Sequence, residues 1–196
     1  MKRQTHAIDR IVVVDYAQKT FPYDLTERYR AGFAQMTDMD LVFCIEDDDY
    51  YASDYIEQMV REWERNGRPD IIGFDTTIYY HIYAQKYAIM EHEGRASAFC
   101  TAIRPAALDE IIWEAIDPLW FDIGIWQQIQ SKAAIKIPAP VAMGIKHGLG
   151  DTPGAGHKSG FYRGVREIQD FGMRFFRGYV HGDFGFYAEI IGKRAP

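Results

Sequence analysis

Two short apolar runs, each closed by acid, set the rhythm of the first half of the chain. Ile11, Val12, Val13 and Val14 run into Asp15, and Leu41, Val42, Phe43, Cys44 and Ile45 run into Glu46. Uninterrupted β-branched and apolar stretches of this length read as buried strands of a parallel sheet. Between them, Leu25, Tyr29, Phe33 and Met36 recur at helical spacing, with Asp24 or Thr26 as N-cap, so residues 24–36 read as a helix. A second helix follows over residues 54–66, with Ile56, Met59, Val60 and Trp63 on one face. Gly67 and Pro69 stop it. Residues 70–74 read as a strand. Ile78, Tyr80 and Ile82 alternate with Tyr79, His81 and Tyr83, the pattern of a hairpin over 76–90. Residues 96–103 form a further strand, ended by Arg104-Pro105, and 108–115 a short helix. Residues 135–145 are strand-like but carry Pro138 and Pro140, which places them at an edge or a kink. From 161 to 192 aromatics interleave with arginines, and Val165, Ile168 and Phe171 give a rough helical stripe. The class is α/β: a mixed, mainly parallel sheet flanked by helices over residues 1–160, with 161–196 a helical aromatic and basic extension packed on the same domain.

Composition narrows this reading. At 196 residues and 47% hydrophobic, the chain has material for one sizeable core. A net charge of −6 argues against a surface built for nucleic acid, though not against a local basic groove. Cys44 and Cys100 both lie in apolar runs and read as buried thiols in a reducing compartment. No apolar stretch reaches the length of a membrane span, and no apolar segment follows the first six residues, so the expected location is cytoplasmic.

The chemistry concentrates at Glu46, Asp47, Asp48 and Asp49. Four adjacent carboxylates repel one another, and a packed fold has little reason to collect them at a strand end. A divalent cation would remove the penalty, since hard cations take oxygen ligands and Mg²⁺ favours one or two carboxylates plus phosphate oxygens. Ligands of open α/β sheets sit outside the carboxyl ends of strands. The alternative is an acidic loop leading into the next helix, with Ser53 or Asp54 as its cap. Asp122 stands at a helix start between Trp120 and Trp126, either as an N-cap or as a desolvated general base. His147 follows an apolar run and precedes a glycine-rich loop whose backbone could approach phosphate; His157 lies inside that loop. An imidazole beside carboxylates shifts preference from Mg²⁺ toward Mn²⁺.

The segment Glu46-Asp47-Asp48-Asp49, followed by Tyr50-Tyr51-Ala52-Ser53-Asp54-Tyr55-Ile56, resembles the D-x-D-D and P-D-x-L segment of GT-A-fold glycosyltransferases of the family-2 type. Glu46 stands at the first acidic position, and Ser53 replaces the usual proline. Arg3-Gln4-Thr5 and the strand ending in Asp15 resemble the R-Q-T and I-I-V-V-D-D stretch of the same enzymes. Asp122 falls on their catalytic aspartate and His147 on a histidine after the last core strand. The resemblance covers about residues 3–150. It implies a metal-dependent transfer of a sugar from a UDP- or GDP-linked donor to an acceptor hydroxyl, with inversion. It implies Mn²⁺ or Mg²⁺ held by Asp48 and His147. Asp15, Glu46, Asp47, Asp49 and Arg28 would bind the donor, with Arg30 as an alternative to Arg28, and Asp122 would be the base. The acceptor stays open among a glycan, a protein, a lipid head group and a hydroxymethylated DNA base. The family has one more strand before residue 3; without it, an open sheet edge is able to pair with another subunit. Two rivals share the carboxylates: a nucleotidyltransferase, and a non-catalytic nucleotide-sugar-binding or assembly module.

Overall fold

Two sheets share the strands, and the acidic segment is the turn that leads from one to the other. The computed structural model describes residues 1, 3–15, 25–118, 120–147 and 165–192. The first sheet has the order β1 (Val42–Phe43), β6 (Thr101–Ile103), β3 (Ile71–Phe74), β7 (Lys132–Ile135). β6 is antiparallel to both β1 and β3, and β3 is parallel to β7. Three of the four strands therefore run one way, with β6 against them. The second sheet has the order β2 (Tyr50–Tyr51), β8 (Ala142–Lys146), β4 (Thr76–His81), β5 (Lys86–Glu91), β9 (Ile168–Gln169). Among the described strands only β3–β7 and β4–β8 pair in parallel, so the expected mainly parallel sheet is corrected to two mixed sheets with mostly antiparallel pairings. β4 and β5 form the expected hairpin, with Ile78, Tyr80 and Ile82 buried.

Helix α1 (Leu25–Phe33) buries Phe33, and α2 (Tyr55–Arg65) buries Tyr55, Ile56, Met59 and Trp63. The α2 residues join Ile71, Ile72 and Phe74 of β3 in the larger apolar core. Each such side chain, taken from water, contributes about 1.5–3 kcal/mol. Gly67 ends α2 at φ +77°, a left-handed conformation that favours glycine. Gln4 ties down the start of the helix. Its side-chain amide donates to the Ala52 carbonyl at 2.7 Å and accepts the Ile56 N–H at 3.0 Å. Asp54 occupies the N-cap position without a side-chain capping bond. A smaller core joins Ile78, Tyr80, Met143 and Ile145 of the second sheet to Met173, Phe176, Val180 and Tyr187. Those last four come from the segment that holds α4 (Arg174–Val180) and α5 (Phe184–Gly192). Both cysteines are buried free thiols. Among the described residues no helix is long and apolar enough to cross a membrane.

Several expectations are corrected. Residues 11–15 form no strand: Ile11 and Val13 are exposed, the latter by 78%, while Val12 and Val14 are half-buried. A β-branched run satisfies a strand pattern, but a strand needs a hydrogen-bonded neighbour, and among the described residues this run pairs with none. The strand over 96–103 begins as a short 3₁₀ turn (Ala98–Cys100), and only Thr101–Ile103 pairs. The helix expected over 108–115 is replaced by 3₁₀ segments at Pro105–Glu110 and Trp113–Ala115. The strand-like run 135–145 is divided at its two prolines between β7 of one sheet and β8 of the other. The stripe of Val165, Ile168 and Phe171 is not a helix; Ile168–Gln169 pairs with β5. Residues 148–164, including His157, lie outside the described residues.

Candidate metal and catalytic site

The chain leaves β1, turns through Glu46–Asp49 and enters β2. β2 is antiparallel to β8, with Tyr50 opposite Met143, so the residues before Tyr50 lie alongside those after Met143. That register brings the acids to the end of β8. The Ile145 N–H donates to Asp49 Oδ1 at 2.7 Å, and His147 Nε2 lies 2.8 Å from Asp48 Oδ2. Carboxylate oxygens of Glu46, Asp48 and Asp49 fall within 4.8 Å of one another. A hard cation bound at about 2.0–2.6 Å from each oxygen spans such a triangle.

Asp49 is the most constrained of the three. It is 8% exposed, and its second oxygen, Oδ2, is buried with no hydrogen-bond partner. A buried unpaired carboxylate oxygen costs several kcal/mol unless it is neutralised. Burial raises its pKa well above the ordinary range; the Glu46 charge adds to the rise, and Lys146 opposes it. Burial also raises the pKa of Glu46, again against Lys146, with the charges of Asp48 and Asp122 adding to the rise. A divalent cation fits this donor set, because it would partner the orphan oxygen and relieve the repulsion together.

Two tyrosines fix Glu46. Tyr51 Oη accepts its backbone N–H at 3.0 Å, and Tyr29 Oη donates to Oε1 at 3.4 Å. Tyr29 also stacks on Phe121 at 4.5 Å, which connects α1, the acid turn and the start of α3 (Phe121–Gln128). Asp122 is the second residue of α3 and forms an ion pair with Arg95. Burial raises its pKa; Arg95 and the nearby helix-start N–H groups oppose the rise. Trp126 is buried and donates to Thr101 Oγ1 at 3.0 Å, while Trp120 is partly exposed.

The structure therefore gathers Glu46, Asp48 and Asp49, with His147 holding Asp48 and Asp122 near enough for its charge to reach Glu46. Of the pair expected from sequence as metal ligands, Asp48 lies in the cluster of three carboxylates and His147 is hydrogen-bonded to it. Asp47 is exposed on the turn and outside the triad. Arg28 is half-buried on α1, next to Tyr29, and Arg30 faces Trp113 and Glu114. Asp15 is exposed, in the segment that fails to form a strand.

Sequence reasoning missed Arg95, Lys146, Tyr29 and Tyr51. Lys146 carried a signal, being a cation beside His147 at a strand end. Arg95 carried none, since only folding brings the turn after β5 to the start of α3. No family model matches the chain, and no curated protein matches it.

Proposed function

We propose that the protein is a metal-dependent glycosyltransferase of GT-A-like fold that moves a sugar from a nucleotide-diphosphate donor to an acceptor hydroxyl. The observation that carries this reading is the triad Glu46, Asp48 and Asp49, with its unpartnered buried Asp49 oxygen, beside a second desolvated carboxylate at Asp122. The run of β1, β3 and β7 in one direction, with the acids beyond the carboxyl end of β1, supports the same fold reading. A divalent cation held by the triad supplies charge neutralisation for a leaving diphosphate.

The chain's own residues do the rest. His147 fixes the Asp48 carboxylate, and the Ile145 N–H fixes Asp49. Asp122 takes the proton of the acceptor hydroxyl, and its raised pKa brings its basicity closer to neutral pH. Arg95 holds the carboxylate in place and keeps it ionised until the acceptor arrives. A hydroxyl deprotonated on the face opposite the leaving diphosphate gives inversion.

The test is Mn²⁺-dependent binding and hydrolysis of UDP- and GDP-sugars. Asp48→Ala should abolish Mn²⁺-dependent binding of the nucleotide diphosphate with an unchanged circular dichroism spectrum. Asp122→Asn should keep that binding and lower turnover by about 10²-fold or more, the scale of a lost general base. Wild-type Mn²⁺-dependent affinity in Asp48→Ala overturns the metal site. Donor binding without turnover in the wild type, with every acceptor class, favours a binding module.

A further inference from the structure

Arg95 has two neighbourhoods. Its Nη1 pairs with Asp122 and reaches the Ala96 carbonyl at 3.4 Å. Among the described residues its Nε and Nη2 meet no acceptor. Arg95 also lines a cavity of about 300 Å³, together with Glu93, Ile123, Gln127 and Lys132. That volume is at the lower end of the range for small-molecule sites. Three separate segments build the cavity: the turn after β5, where Gly94 reverses the chain at φ +69°, helix α3, and the first residue of β7. That first residue, Lys132, is anchored by its ammonium, which donates to the Trp126 carbonyl at 2.9 Å. An ammonium has three N–H donors, and among the described residues this one spends one and pairs with no acid. Two cations with unspent donors therefore share one wall. Glu93 is the acid among the lining residues; it is exposed and forms no ion pair among the described residues, so its carboxylate is able to face water. The edge formed by Nε and Nη2 of a guanidinium matches the two oxygens of a carboxylate or phosphate group.

We propose that this cavity binds the oxyanion of an anionic acceptor, a carboxylate or a phosphate monoester, between Arg95 and the Lys132 ammonium. The assignment rests on Asp122 as the base, and it narrows the acceptor to a hydroxyl compound that carries negative charge. Two anions then share one guanidinium, with Asp122 on Nη1 and the acceptor on the edge that meets no acceptor. A molecule held by its charged end lies one guanidinium away from Asp122, which brings its hydroxyl within reach of the base. Arg95 is thus a positioning residue for both partners of the proton transfer. Sharing also couples them. Both anions draw on the same positive charge, so removing the charge of Asp122 strengthens the hold on the other anion.

The experiment titrates inorganic phosphate into the full chain by isothermal titration calorimetry, at low ionic strength and after removal of metal on a chelating resin. Wild type and Asp48→Ala should bind phosphate alike, since the cavity is apart from the acid turn. Lys132→Met should bind it about fivefold more weakly, the scale of one charge contact in water, and Lys132→Arg should keep the affinity. Asp122→Asn should bind it about fivefold tighter. Lys132→Gln replaces the methionine variant if that one does not fold. Turnover is then measured with Mn²⁺ and a UDP- or GDP-sugar, with glucose, glucuronate and glucose 6-phosphate as acceptors. At least one of the two anionic acceptors should outpace glucose, and which one separates carboxylate from phosphate. Lys132→Met should raise its KM about fivefold with little change in kcat. No phosphate binding by wild type, or the same affinity in wild type, Lys132→Met and Asp122→Asn, overturns the anion site; Mn²⁺-dependent donor binding that is lost in Asp48→Ala still upholds the metal site. Equal turnover with glucose and with both anions overturns the preference for a charged acceptor. Phosphate binding with the expected variant effects, but no turnover with either anion, upholds the anion site and overturns transfer to an anionic acceptor.

Discussion

Asp49 shows what a single residue reveals about this site. Its Oδ1 has a structural partner in the Ile145 N–H, while its Oδ2 has none. Substituting Asn keeps an oxygen for Ile145 and removes the buried charge. The sign of the pH dependence follows from the direction of the shifts. Burial raises the pKa of both Asp49 and Glu46, so the folded chain keeps protons that the unfolded chain releases above about pH 4. Their favourable contribution is complete below that value and is lost as pH rises through the raised folded values. His92 acts in the opposite direction. Burial, with Arg95 adding, lowers its pKa to about 4, so its contribution is present above about pH 6.5 and lost as pH falls through 4. His92 is the same in both proteins and cancels in their difference. Metal-free Asp49→Asn should therefore melt close to wild type near pH 4.5 and at a higher temperature by pH 7.5, with the gap widening as pH rises. Mn²⁺ should raise the melting temperature of wild type at pH 7.5 and leave the variant unmoved. Differential scanning fluorimetry across pH 4.5–8, with and without Mn²⁺, checks both.

At the scale of the element, two strand glycines carry different loads. An added Cβ at Gly144 of β8 would meet the Tyr79 ring, a side chain able to tilt. One at Gly73 of β3 would fall 2.4 Å from the Ala96 Cβ and 2.6 Å from the Cys100 carbonyl oxygen, which is backbone. Overpacking a core costs about 1–3 kcal/mol, and more when backbone has to move. Gly73→Ala should therefore destabilise the fold more than Gly144→Ala in urea unfolding. Gly144→Ala should disturb the site locally, because Tyr79 carries Lys146. The helices were legible as elements because their apolar spacing is sustained over several turns, as at Met59 and Trp63 of α2. The failed strand at residues 11–15 shows the limit of pattern reading. Strand pairing is a long-range property, and Val12 is half-buried against the core without belonging to a strand.

For the whole molecule, the C-terminal segment is packed on the second sheet at the buried Asp170. One of its oxygens, Oδ2, accepts the Tyr80 hydroxyl at 2.9 Å and the Phe176 N–H at 3.0 Å; Oδ1 accepts the Phe175 N–H at 2.9 Å. The same residue thus joins β4 to the start of α4, over which Phe176 stacks on Tyr80 at 4.4 Å. Asp170→Ala leaves three buried or half-buried donors without their acceptor and should cost about 2–4 kcal/mol, the sum of hydrogen bonds to a charged group and the desolvated donors left behind. Because β8 lies beside β4 and leads directly into His147, the loss should also weaken Mn²⁺ binding. Chemical denaturation and a Mn²⁺ titration of the variant measure the two effects. Wild-type stability in Asp170→Ala would show that this junction does not couple the tail to the sheet.

The α/β class, the helices at α1 and α2, the β4–β5 hairpin and the concentration of acid after β1 were all readable from the order of residues alone. All of these follow from local spacing or from charges adjacent along the chain. The same order also marked Asp48, His147 and Asp122 as separate candidates. How they meet depends on the packing of segments far apart in the chain. Sheet register set Asp48 against His147 across 99 positions, left Asp49 Oδ2 without a partner, and excluded Asp47 from the triad. It likewise brought Arg95 to Asp122 and placed Lys146 on Tyr79. The division follows from physics: propensity and charge crowding act between neighbours in the chain, whereas burial, register and unsatisfied oxygens exist only once distant segments pack together.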